Sequence, residues 1–133
     1  MNVVLDTNVL VSAFLKPRSN PARILHLVLQ GNIQIIINEP ILAEYFEVLT
    51  RPKFAFKQEN IQIVLELFRS KGIHAPVLPE SFQLPDKSDV PFLEAALSIK
   101  ADALITGNKK HFPKKFSKGQ KVDSPEEFLR QLK

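Results

Sequence analysis

Three short, unbroken apolar runs, each ended by polar residues, constrain the fold of this chain more than any other feature. Residues 2–5 read Asn-Val-Val-Leu and stop at Asp6. Residues 33–37 are rich in isoleucine and lie between Gly31-Asn32 and Asn38-Glu39-Pro40. Ala103-Leu104-Ile105 closes on Thr106-Gly107-Asn108. A strand with one wet face alternates apolar and polar residues, whereas a strand covered on both faces does not need to. These runs therefore predict strands of a buried sheet, with weaker strand signals near residues 74–78 and at Lys121-Val122.

Between the runs lie amphipathic helical patterns with readable ends. Asn20-Pro21 looks like a cap followed by proline at the first helical position, and Gly31 can take the left-handed stop after Gln30. Residues 39–50 carry apolar side chains at 41, 42, 45, 46 and 49, with Glu44 and Glu47 on the opposite face. Arg51-Pro52 ends that helix because the residue before proline resists helical geometry. Residues 60–70, stopped by Gly72, and residues 88–99, with Phe92, Leu93, Ala96 and Ile99 turned inward, give two more. Ser124-Pro125-Glu126-Glu127 is a capping box that opens the last helix. Strands that alternate with helices must pair in parallel through right-handed crossovers. The expected architecture is a three-layer α/β/α fold with a central parallel sheet. At 133 residues without a linker-like break or a repeat, residues 1–133 are expected to form a single domain.

Composition removes several classes of function. No apolar run approaches the roughly 18–20 residues of a membrane span, and no basic segment precedes an apolar stretch at the N-terminus, so a cytoplasmic location is expected. Cysteine is absent, which excludes disulfides, thiolate nucleophiles and cysteine-held zinc, and any metal must be held by oxygen or histidine. Net charge is only +4, but six lysines (109, 110, 114, 115, 118 and 121) follow one another without an intervening acid. That segment is either a solvated loop or a footprint for a phosphate backbone.

In open parallel sheets the functional crevice lies at the carboxyl ends of the strands, which points to Asp6 and Asn108. A carboxylate at the edge of a buried strand costs desolvation unless a cation, a donor or water faces it, although Asp6 would equally serve as the cap of a short helix beginning near Thr7-Asn8. Glu44 and Glu47 are either solvated or turned to a site. Asp86 and Asp89 flank a helix start, where capping accounts comfortably for one of them. Together these acids suit a hard divalent cation, Mg2+ or Mn2+, which takes several oxygen ligands and makes crowded carboxylates tolerable.

Four stretches in order resemble the PIN domain family: Val3-Val4-Leu5-Asp6-Thr7-Asn8-Val9-Leu10, Ile41-Leu42-Ala43-Glu44-Tyr45, Asp89-Val90-Pro91-Phe92-Leu93-Glu94-Ala95-Ala96, and Ala101-Asp102-Ala103-Leu104-Ile105-Thr106-Gly107-Asn108. With the closing Val122-Asp123-Ser124-Pro125-Glu126-Glu127-Phe128-Leu129, the likeness is to the prokaryotic, VapC-like branch of toxin components of toxin-antitoxin systems. The resemblance implies a PIN-like sheet of Rossmann-like topology, Mg2+ or Mn2+ as cofactor, and endonuclease action on RNA. It implies Asp6 and Asp89 as principal metal ligands and Glu44 as a further one, directly or through water. Thr7, Asn8 and Thr106 resemble the family's polar support, and Asp86 an accessory acid. The departure is Asn108, where the general pattern has an aspartate; an amide oxygen can still coordinate but brings no charge, which weakens the case for a second metal.

The leading expectation is a metal-dependent endoribonuclease using Asp6, Glu44, Asp89 and Asn108, with RNA contacts from Lys109, Lys110, Lys114 and Lys115. The alternative is a catalytically weak PIN-fold module that binds RNA or protein. A haloacid-dehalogenase-like phosphatase ranks lower because Asn8 stands where that chemistry wants a second aspartate. A cognate antitoxin and self-association as a dimer come through the resemblance alone. His26, among Ile24, Leu25, Leu27 and Val28, is expected to be structural, and His74 shows no partner pattern. His111 is expected to pack or to touch phosphate more than to take part in chemistry, and Phe112 or Phe116 is a candidate for stacking on bases.

Overall fold

Val3, Val4 and Leu5 are all buried, each with 1% or less of its surface exposed. Successive residues of a strand face opposite sides of a sheet, so this strand must be covered on both. That requirement is met in the computed structural model of the chain, which describes residues 1–77 and 84–132. The first strand, β1 (Asn2–Leu5), pairs in parallel with β2 (Gln34–Ile37) on one side and β4 (Ala103–Ile105) on the other. A short β3 (Ile73–His74) lies outside β2, and β5 (Val122–Asp123) outside β4. Among the described residues the sheet is five-stranded, wholly parallel, and ordered β3-β2-β1-β4-β5.

Among the described residues six α-helices accompany the strands: α1 (Thr7–Leu15), α2 (Asn20–Leu29), α3 (Glu39–Leu49), α4 (Gln58–Lys71), α5 (Val90–Ile99) and α6 (Pro125–Arg130). Helix α2 packs on α1 and α6, while α3 packs on α4 and α5. Helices α4 and α5 meet the central strands, and α6 covers β4 and β5. This is the expected three-layer α/β/α arrangement with a central parallel sheet. One core runs through both layers, from Ile24 and Leu10 to Tyr45, Phe68 and Phe92. The hydroxyl of buried Tyr45 donates to the carbonyl of Leu5, which fixes α3 against the end of β1.

Several local expectations are corrected. The cap of α2 is Ser19, whose hydroxyl oxygen accepts from the Ala22 amide; Asn20 is already the first helical residue, because the serine oxygen reaches the third amide and proline follows. Gly31 takes the left-handed stop as expected, at φ 82°. Phe46, expected inward, is 44% exposed, because α3 turns Ile41, Leu42, Tyr45 and Leu49 to the core and leaves position 46 at the flank. The helix expected from residue 88 begins instead with a 3₁₀ turn, Lys87–Asp89, before α5. The strand expected near residues 74–78 is β3; Leu78 lies outside the described residues.

Gly72 has a packing reason. A Cβ there would lie 2.5 Å from the Phe68 carbonyl oxygen and 3.0 Å from that of Ile35, so only glycine lets the chain turn from α4 into β3 so close to β2.

The hydrogen-bond ladder runs one residue past the strands at their carboxyl ends: the Asp6 amide donates to Ile105 and the Thr106 amide to Asp123, both at 2.9 Å. Asp6 and Thr106 therefore sit side by side on the rim, with backbones fixed by the sheet.

Candidate functional site

Asp6 occupies the cap position of α1, but its carboxylate makes no capping bond. The oxygen that would have capped is turned across the rim instead. Its Oδ2 accepts from the Thr106 hydroxyl at 2.7 Å and lies 3.0 Å from Nδ1 of His111. The Asp6 side chain is only 4% exposed. Thr106 is fully buried; its hydroxyl accepts from the Asn108 amide at 3.1 Å, and of the two acceptors within reach of its single proton, the Asn108 carbonyl at 3.2 Å and the Asp6 carboxylate at 2.7 Å, the closer and charged one is favoured.

The second carboxylate comes from the turn before α5, where the ambiguity between two aspartates resolves. Asp86 is the cap: its Oδ1 accepts from the Ser88 amide at 2.9 Å and from the Ser88 hydroxyl at 2.8 Å, and these bonds hold its carboxyl below the usual carboxylate range. Asp89 does not cap. Its side chain is 7% exposed, and its Oδ2 is buried, without a hydrogen-bond partner among the described residues and 3.9 Å from Nδ1 of His111. Burial, and then the nearby Asp6 carboxylate, push the Asp89 pKa up to about 7 against the opposing pull of His111.

Glu44, on α3, is half-buried on the third side and accepts from the Thr7 hydroxyl. Burial raises its pKa, the Thr7 bond opposes this, and repulsion from Asp6 adds to the rise. Glu47, one turn on, is exposed and paired with Arg51 at 2.9 Å. Asn8 is a brace: its Oδ1 accepts from the Gly107 amide at 2.9 Å and ties the start of α1 to the loop after β4.

Asn108 is exposed, and its Oδ1 accepts from the Lys110 amide at 3.1 Å. It caps the 3₁₀ turn Lys109–His111, so its side chain serves the loop that carries His111, and Asn108 is not among the residues lining the cleft. His111 is the residue that sequence reasoning undervalued. Its burial disfavours charge, but the bond to Asp6 and the charges of Asp6, Asp89 and Asp86 outweigh that and raise its pKa. The signal available was position: His111 follows a strand end by six residues, on the same rim as Asp6.

The basic segment divides. Lys109 pairs with Glu127 at 2.6 Å, and Lys121 lies 3.4 Å from Asp123. Lys110, Lys114 and Lys115 are exposed, the last over the Phe116 ring. Phe112 cannot stack on a base, because it is 2% exposed and anchors the loop in the core.

Asp6, Thr7, Asn8, Glu44, Asp86, Asp89 and His111 thus line one open cleft, together with Arg51 and Phe54. Donor atoms of Asp6, Asp89 and His111 lie within 4.8 Å of one another. Two buried carboxylates facing each other, one with an oxygen that no donor satisfies, are costly in a protein alone and fit a divalent cation. The residues present therefore suit the metal that the sequence implied.

Comparison with known proteins bears on the family and the fold. A family model described as a PIN domain matches residues 2–110. An uncharacterized protein of Methanocaldococcus jannaschii is 30% identical over 112 residues, which cover 82% of this chain and 72% of that protein. Among solved structures, VapBC2 from Rickettsia felis bound to a DNA fragment from its promoter has a chain that superposes with a TM-score of 0.61 at 21% identity, covering 93% of this chain and 98% of that one. FitAcB from Neisseria gonorrhoeae gives 0.54 at 16% identity, covering 92% and 97%.

Proposed function

Because the chain belongs to the PIN domain family, we propose that it is a single-domain, metal-dependent endoribonuclease that hydrolyses RNA phosphodiester bonds, and that it serves as the toxin component of a toxin-antitoxin system. The observation that carries the catalytic part is the pair Asp6 and Asp89, both buried, with ligand atoms within 4.8 Å of each other and with Asp89 Oδ2 lacking a hydrogen-bond partner among the described residues. Asp6 and Asp89 would hold the ion, with Glu44 joining directly or through water. Thr106 orients Asp6, and Thr7 holds Glu44. The chemistry that Mg2+ or Mn2+ supplies when bound is activation of water and neutralisation of charge on a phosphoryl oxygen during in-line displacement.

The chain's own residues do the rest. Lys110, Lys114 and Lys115 lie exposed on the loop that also carries His111, which lines the cleft, so a phosphate backbone can run there. The antitoxin rests on kinship, since the solved neighbours include the VapBC2 and FitAcB structures, and a dimeric state is carried by the family resemblance alone.

The test is cleavage of single-stranded RNA with Mg2+ or Mn2+ by the wild type, Asp6→Asn and Asp89→Asn. Both variants are expected to lose turnover while keeping the fold; unchanged cleavage in both defeats the assignment. Retention of RNA without cleavage in either metal would favour the binding-module alternative, which the neutral, capping Asn108 makes worth measuring.

A further inference from the structure

We infer that His111 is itself a metal ligand, through Nδ1, and that it turns an otherwise oxygen-lined site into one that prefers Mn2+ to Mg2+. This rests on the proposal that Asp6 and Asp89 hold a divalent ion, and it goes beyond that by naming a third donor of different chemistry and the selectivity that follows.

The geometry comes first. Neighbouring ligands of an octahedral ion with bonds of roughly 2.1 Å stand about 3.0 Å apart, and opposite ligands about 4.2 Å apart. Nδ1 of His111 lies 3.0 Å from Asp6 Oδ2 and 3.9 Å from Asp89 Oδ2, so all three atoms can share one sphere after small rotations. The Asp89 Oδ2, which has no hydrogen-bond partner among the described residues, is the independent sign that something is to be bound there. The loop supports the ring on both sides: Asn108 caps the 3₁₀ turn before it, and buried Phe112 pins the chain after it. Asp6 also keeps the Thr106 hydroxyl bond when the imidazole turns to an ion, so no buried carboxylate oxygen is left without a partner by the change.

The chemistry follows from the donor set. Mg2+ binds oxygen and gives up its water reluctantly, so a nitrogen in the third place costs it affinity. Mn2+ accepts the same carboxylates and, although it opens the first-row series and binds imidazole less tightly than the later metals, it is softer than Mg2+ and tolerates one nitrogen among oxygens better. A carboxylate at position 111 would instead give an all-oxygen site with one more negative charge, which suits Mg2+ better.

The experiment measures metal binding directly, without RNA. Mn2+ and Mg2+ are titrated calorimetrically into the wild type, His111→Ala, His111→Asp and Asp89→Asn, and the Mn2+-loaded proteins are examined by pulsed electron paramagnetic resonance for coupling to imidazole nitrogen. Metal-free melting curves check that each variant folds, and half-exposed position 111 should tolerate both changes. Expected are nitrogen coupling in the wild type that disappears in His111→Ala, a fall of about tenfold or more in Mn2+ affinity with a smaller change for Mg2+, and a shift toward Mg2+ in His111→Asp. Wild-type Mn2+ bound without nitrogen coupling, and lost in Asp89→Asn, would overturn the role of His111 and leave the carboxylate site standing. Wild type that binds neither ion, or Asp89→Asn that binds as the wild type does, would overturn both.

Discussion

The same two strands, β1 and β4, are zipped by side chains at both ends, and the two ends use aspartate in opposite ways. At the amino end, exposed Asp102 accepts from the Asn2 amide at 2.8 Å, while its own amide donates to the Asn2 carbonyl at 2.9 Å. That carboxylate has a backbone donor and open water around it. At the carboxyl end, Asp6 has one hydroxyl and one imidazole, is buried, and faces Asp89, whose Oδ2 has no hydrogen-bond partner among the described residues. An aspartate supplied with donors closes a fold. Two that share too few donors mark a place where the protein keeps repulsion for a ligand to relieve.

The largest effect should come from exchanging charge at the two ends. Asp89→Asn is expected to lower RNA cleavage by about a hundredfold or more, while Asp102→Asn stays within about twofold, measured as single-turnover rates. Stability without metal should separate the ends as well. The folded Asp89 carboxyl titrates at about 7 against an ordinary 3.8, so between those values the folded state holds a proton that the unfolded state has released. Stability of the metal-free wild type should therefore fall as pH rises from about 3.8 to about 7. Asp89→Asn should flatten that slope and Asp102→Asn should keep it. A flat wild-type profile in urea unfolding would break the contrast.

A middle-sized effect tests orientation. Thr106→Val keeps volume but removes the hydroxyl on Asp6, and it should weaken Mn2+ binding by roughly tenfold, read by calorimetry. The smallest effect lies on the loop side. Glu127 completes the capping box of α6 and pairs with Lys109, which together hold its carboxyl down at about 2. Its contribution is present above the ordinary value of 4.5 and is lost as pH falls toward about 2. Glu127→Gln should cost about 0.3–1 kcal/mol of stability near neutral pH and leave cleavage unchanged.

Much of this was readable before the fold. The unbroken runs before Asp6 and Thr106 could only be strands covered on both faces, and Gly31 and the Ser124 box marked helix ends by local chemistry. Asp6, Glu44 and Asp89 were legible as a set through the order of the motifs. Choosing between cap and site was not, because Asp6 and Asp86 both suit a cap by type, and the rotamer decides: Asp86 turns back to Ser88, Asp6 turns away from α1. Phe46 and Phe112 were misjudged for a related reason, since the periodicity of a single segment does not say how far its neighbours reach.

The sequence by itself determined the elements and the parallel order of layers, because caps, glycine stops and apolar periods act within a few residues. The tertiary structure alone decided which polar groups share the cleft. Asp6 meets Thr106 across 100 residues and His111 across 105, and no local pattern reports a contact of that span. The physical reason is the crossover fold: it gathers the loops after β1 and β4 and the turn before α5 at one rim, where burial and the shortage of donors, properties of the assembled rim, make the carboxylates a site.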